Sequence, residues 1–217
     1  MPKNLFPLDS TKSFKDQDIV GHNRWHPDIP AAVTVNPGDT FRIDCREWFD
    51  GDIKNDDSAQ DILEAPVSKV HALSGPFHIK GAKPGDLLIV DILDVGPIPQ
   101  EDEGPLAGQG WGYTGIFAKN NGGSFLVDQF PDAYKAVWDF NGQTATSRHV
   151  PGVSFTGLIH PGLMGTAPSH ELLKKWNDRE AALIATDPNR LPPLALPPEP
   201  KDAVLGTLTG DDFDRVA

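Results

Sequence analysis

Apolar and polar positions change places over short distances along most of the chain, and turn residues interrupt nearly every run. Phe41-Arg42-Ile43-Asp44-Cys45 alternates strictly, which predicts a half-buried strand. Leu87-Leu88-Ile89-Val90 is apolar throughout, which predicts a strand covered on both faces. Both runs follow the same phrase: residues 35–44 read VNPGDTFRID and residues 82–91 read AKPGDLLIVD. Proline fixes φ and glycine tolerates positive φ, so each Pro-Gly-Asp marks a turn feeding a strand. Further strands are predicted at Val67–Leu73, Phe77–Lys80, Gly115–Ala118, Ser124–Asp128, Tyr134–Phe140, Thr144–His149 and Val153–Ile159. The Asn120-Asn121-Gly122-Gly123 stretch suits a hairpin turn between two of them.

A helical period stands out once. Ser169 is placed to cap a helix, and Glu171 suits its positive end. Leu172, Leu173, Trp176 and Leu183 share one face, with Trp176 expected in the core, and Asp187-Pro188 ends the run. The pattern predicts a mainly-β fold, a β-sandwich or jelly-roll-like arrangement, with one helix near 169–186. Gly/Pro-rich loops connect the elements, the longest at 96–112.

Composition narrows this picture. Glycine and proline each occur 21 times in 217 residues, which fits many short strands and tight turns. The formal net charge of −12 and the lack of a basic cluster argue against nucleic acid and anionic membrane as partners. A single cysteine, Cys45, precludes an internal disulfide and suits a reducing, cytoplasmic setting; on a strand it is expected to be buried and inert. The N-terminus lacks the apolar run of a signal peptide, and no segment approaches the roughly 18 apolar residues of a membrane span.

Candidate chemistry centres on histidines and carboxylates. His22 and His26 stand four apart in GHNRWHPDIP, a spacing that serves zinc on a helix, but Pro27 and Pro30 oppose a helix there. Taken alone, the motif reads as packed structure around Trp25. Glu47 follows the first Pro-Gly-Asp strand beside Trp48 and Phe49, where a carboxylate can serve as general acid or base or be an ordinary strand-end charge. Asp50, Asp52, Asp56 and Asp57 make an acidic loop without the ligand order of a calcium site. His160 ends an apolar strand before Pro161-Gly162, placed to project into a pocket or to be a satisfied structural residue; His71 is ambiguous, and His149, after Arg148, is expected to be more exposed. Phosphate-cradling loops, a serine nucleophile elbow and paired-cysteine motifs are absent from the sequence. A cupin-like metal barrel would need two histidines and a glutamate in one short strand pair, an arrangement the sequence lacks.

The last thirty residues, 188–217, read as a proline-rich linker (DPNRLPPLALPPEP across its start) followed by a helix start at Thr209-Gly210-Asp211-Asp212 too short to hold alone. Residues 1–187 are the β-rich portion. The expectation is the front part of a larger unit, or a piece completed by a partner.

The phrases HNRWHPDIP, VNPGDTFRIDCREW, IKNDDSAQD, LSGPFHIKGAKPGDLLIVDILDVGPIP, WGYTGIFAKNNGGSFL, WDFNGQTATSRHVPGV and GLIHPGLMGTAP occur in this order and together resemble the acetamidase/formamidase family, its formamidase branch above all. The resemblance runs from about Asp18 to Pro200. It implies a hydrolase acting on small linear amides, formamide to formate and ammonia, on a largely β-sandwich scaffold with zinc or another divalent metal. Carried over by motif, it implies Glu47 and His160 as catalytic and metal-binding residues, with His22, His26 and His71 lining the substrate pocket. It also implies a second β portion beyond the linker, carrying further His, Asp and Glu residues. The implied partners are a small amide and either further copies of the chain, in a homo-oligomer, or a complementary C-terminal portion. The alternative is a non-catalytic β-sandwich module for binding or assembly.

Overall fold

The computed structural model describes residues 2–98, 109–117, 128–157, 160–188 and 199–206. The predicted strand at 124–128, the Asn120–Gly123 turn and the helix start at 209–212 lie wholly or almost wholly outside these residues. The chain forms two compact units. One comprises Met1–Gly51, Pro66–Leu87 and Thr166–Ala217; the other comprises Asp52–Ala65 and Leu88–Gly165. The fold is mainly β, as the alternation predicts.

In the first unit, three two-stranded ladders surround an aromatic core. β1 (Lys3–Phe6) runs parallel to β4 (Phe41–Ile43), and β3 (Val33–Val35) runs parallel to β5 (Phe77–Ile79). β2 (Gly21–His22) pairs antiparallel with β10 (Val204–Leu205). Phe6, Phe14 and Ala72 are buried at the centre, with Leu8, Ile19, Val33, Phe77 and Leu205 packed around them. Gly21 is required by close approach: a Cβ there would sit 2.5 Å from the Phe14 ring. Residues 199–206, in the stretch expected as linker, fold back onto this unit; Ala203 is fully buried and its carbonyl accepts from Asn23 N at 2.8 Å.

The Pro-Gly-Asp repeat is real in three dimensions. Gly38 and Gly85 take φ of +85° and +96°, as the third position of such turns demands. Asn36 N donates to Asp39 Oδ2 and Lys83 N to Asp86 Oδ2, both at 2.8 Å. The strands entering the two turns, β3 and β5, are the ones that pair with each other. The strands leaving them differ. Phe41–Ile43 is paired, whereas Leu87–Val90 forms no ladder with any described residue and is exposed, contrary to the prediction of a doubly covered strand.

Helix α2 (His170–Ile184) forms where predicted, capped by Ser169 Oγ accepting from Leu172 N at 3.1 Å. Its buried face keeps only Leu173 of the predicted one. Leu173, Asn177, Glu180 and Ile184 turn inward, while Leu172, Trp176 and Leu183 are exposed. Val67–Lys69 is a 3₁₀ turn rather than the start of a strand. Cys45 lies beyond the end of β4 and is exposed, not buried; crowding around the thiol still pushes its pKa up, and Asp44 adds to this against a Ser74 hydrogen bond.

The second unit is built on the antiparallel meander of β6 (Gln109–Ile116), β7 (Tyr134–Asn141), β8 (Thr144–Ser147) and β9 (Ser154–Thr156). β6 begins inside the expected 96–112 loop. A short helix, α1 (Gln60–Glu64), buries Ile62 against Gly115, where a Cβ would approach to 3.0 Å. Lys135 on β7 is buried and donates to the Lys54 carbonyl, Asp56 and Asp61 at 2.9, 2.9 and 2.7 Å. Burial pulls its pKa down, but the Asp61 and Asp56 bonds outweigh that pull and hold it above the usual value. The acidic loop is therefore organised around an internal ammonium. Among the described residues, no helix is long and apolar enough to cross a membrane.

Candidate functional site

The segment bearing Glu47 is a tight turn clamped from inside. Asp50 N donates to the Glu47 carbonyl at 2.8 Å, and Gly51 N donates to Glu47 Oε2 at 2.9 Å. The clamp is a buried ion pair, Arg46 Nε to Asp50 Oδ1 at 2.9 Å, with both side chains under one tenth exposed. Arg46 also donates to the Asp50 carbonyl, and Asp50 accepts from Phe14 N at 3.0 Å. Asp50 holds φ of +62°, a left-handed conformation that Asp tolerates better than most residues. The sequence shows Asp50 only as one of several acidic loop residues; its i,i+4 spacing from Arg46 was the available signal.

Trp48 continues this turn and stacks on His71, ring centroids 5.1 Å apart at 30°. Its carbonyl accepts from Ala72 N at 2.9 Å. His22 joins the same strip, exchanging backbone hydrogen bonds with Leu73 at 3.0 and 2.8 Å. Arg24 ties the strip together by donating to the Val70 and Ser68 carbonyls at 2.7 and 3.0 Å. The first unit thus brings Glu47, His22 and His71 onto neighbouring segments. Burial lowers the His22 and His71 pKa values, and the Arg24 charge lowers His71 further.

His26 stands one step away, in non-helical chain as its prolines predict. Its ring meets His170 of α2 edge-on at 6.2 Å, and His170 Nε2 lies 2.9 Å from Asp28. Burial lowers the His26 pKa, with Asp28 opposing. His160 belongs to the second unit and is exposed.

Hydrogen-bond partners fix the tautomers, and these separate the histidines chemically. His22 Nδ1 faces the Arg24 carbonyl at 3.0 Å, so it carries the proton and leaves a lone pair on Nε2. His26 Nδ1 accepts from Asp28 N and His160 Nδ1 from Gly162 N, both at 3.1 Å. Their Nε2 atoms therefore carry the proton and act as donors. His149 is pinned the same way, accepting from Val137 N and directing Nε2 at Asp57. His22 is the ring suited to accept a proton or hold a metal; ligation through His160 Nε2 requires giving up the Gly162 bond. Among the described residues, no group of three His, Cys, Asp or Glu side chains is gathered to hold an ion.

The profile of the acetamidase/formamidase family matches residues 7–217. The chain belongs to the acetamidase/formamidase family. Similar members include the acetamidase of Mycolicibacterium smegmatis, 62% identical over 217 residues, all of this chain and 53% of that protein. The formamidase of Methylophilus methylotrophus is 51% identical over 215 residues, 99% of this chain and 51% of that protein. Among solved structures, the gamma lactamase from Delftia acidovorans superposes with a TM-score of 0.84 at 50% identity, covering 98% of this chain and 50% of that one. The chain spans about half the length of the family members it matches.

Proposed function

We propose that this chain forms part of a hydrolase cleaving the C–N bond of small linear amides, with formamide the first substrate to test and acetamide the second. The observation that carries the proposal is identity of 62% and 51% to an acetamidase and a formamidase over essentially the whole chain. Hydrolysis adds water across the C–N bond and releases carboxylate and ammonia. It needs a base for the water, a donor for the carbonyl oxygen and a proton for the leaving nitrogen. Glu47, held in its clamped turn, is the proposed base. His160, with its proton on Nε2, is the proposed donor to the carbonyl. The Nε2 lone pair makes His22 a second candidate base, with His26 and His71 as pocket residues.

A divalent metal, zinc first, stays in the proposal as a Lewis acid for the carbonyl and water. By motif, Glu47 and His160 are the proposed ligands; His22 has the tautomer of a ligand as well, and the ion would polarise the carbonyl and activate the water. A cytoplasmic location and assembly into a homo-oligomer, or with a complementary C-terminal portion, complete the reading.

The test is ammonia release from formamide and acetamide by this chain, alone and co-expressed with the half of the M. smegmatis acetamidase that it does not match. Release that rises with the second half supports the proposal. Binding of formamide without release in any combination points to the binding-module alternative instead.

A further inference from the structure

The Pro-Gly-Asp repeat gives an internal standard for what each copy should contain. In the first copy, the strand leaving the turn, β4, lies beside β1, with Phe41 opposite Lys3 and Arg42 opposite Asn4. Its closing residue, Asp44, is buried and accepts from Asn4 Nδ2 at 2.8 Å and from Leu8 N at 3.2 Å. The strand that flanks this copy thus supplies both a ladder and donors for the closing aspartate.

The second copy repeats the turn and its backbone-to-aspartate bond and then lacks those partners among the described residues. Leu88, Ile89 and Val90 are 44%, 76% and 52% exposed, and Ile92 and Leu93 beyond them are 52% and 74% exposed. Residues 88–93 make no backbone hydrogen bond to any described residue. Asp91, the counterpart of Asp44, is exposed as well. A β-branched, apolar run with open backbone groups is an unpaired strand edge, which pairs with another strand when one is offered.

We propose that residues 88–93 are the docking edge for a strand from the other half of the family architecture, the half that this chain does not match in any of the relatives above. That strand lies along Leu88–Leu93 as β1 lies along β4, and donates an N–H to Asp91 as Asn4 and Leu8 do to Asp44. The occupant is identified by length. The relatives that this chain matches are each about twice as long as it; the M. smegmatis acetamidase is matched over 53% of its length and the M. methylotrophus formamidase over 51%. The inference rests on family membership and not on the amidase reading, because its test involves no turnover.

Hydrogen exchange at residues 88–93 decides it, measured on this chain as a dilute monomer and at the matching residues of the intact M. smegmatis acetamidase. The expected result is fast exchange in this chain and exchange slower by at least about 100-fold in the longer protein. Co-expression with the unmatched half of that acetamidase should slow the same amides and yield a one-to-one complex. Ile89→Lys and Asp91→Ala should each weaken that complex by at least about tenfold, while Leu163→Lys, at another exposed apolar position, leaves it unchanged. Both substituted side chains are already exposed, so the variants should keep the melting temperature of the parent. Fast exchange in the longer protein overturns the proposal. So does slow exchange in the dilute monomer, which would mean that this chain covers its own edge. Protection that appears only as the chain self-associates assigns the edge to a second copy and equally overturns it.

Discussion

At the scale of single residues, the Glu47 turn depends on a buried ion pair more than on Glu47 itself. Removing one partner of such a pair leaves a charge without compensation, so Asp50→Asn or Arg46→Met should cost about 3 kcal/mol, read from denaturant unfolding. In the proposed assembly with the unmatched half, Glu47→Gln and His160→Ala should each lower kcat by about 100-fold or more, in line with loss of an acid–base group or carbonyl donor. Near-parental rates for both would remove them from the site. Protonation supplies a further check. His22, His26 and His71 all have pKa values lowered in the fold, burial being the main cause. The folded state then binds fewer protons than the unfolded chain below about pH 6.5, the ordinary imidazole value. Stability should be full above that pH and fall as the solution is acidified toward the depressed values. His22→Asn should flatten the slope of melting temperature against pH between 7 and 5; an unchanged slope contradicts this assignment.

At the scale of elements, local signals were the legible ones. The Ser169 cap, the repeated turns and the strands at 77–79, 134–141 and 144–147 follow from propensity and spacing, and the structure has them. Ser169→Ala should therefore cost about 1 kcal/mol, with Ser169→Asp close to neutral. Burial was not legible in the same way. A run of leucines and a tryptophan at helical spacing predicts a core face, yet α2 turns Asn177 and Glu180 inward and leaves Trp176 at 40% exposure. Periodicity reports which residues share a face, not what that face meets. Trp176→Lys should accordingly change stability by less than about 0.5 kcal/mol, whereas Lys135→Met, which strands Asp61 without its ammonium, should lower the melting temperature by about 5 °C. The Lys135 hub escaped the sequence reading because its partners lie 74 and 79 residues away.

At the scale of the molecule, the family was legible because unusual phrases recur in order from Asp18 to Pro200, and the profile match over residues 7–217 bears this out. Of the candidate site, the sequence offered the residues but not their proximity. Glu47, His22 and His71 meet on adjoining segments of one unit, through contacts between parts of the chain about 25 and 50 residues apart that no local pattern encodes. Tautomers depend on which backbone group faces each ring, and so distinguish His22 from His26 and His160 only once coordinates exist. The central claim is that these residues serve amide hydrolysis within an assembly of family length. Its most direct test is ammonia release from formamide by this chain co-expressed with the unmatched half of the M. smegmatis acetamidase, compared with the same assembly carrying Glu47→Gln. The account predicts steady release that falls by about 100-fold in the variant. Release that is absent from a well-formed assembly, or that is indifferent to Glu47, would contradict it.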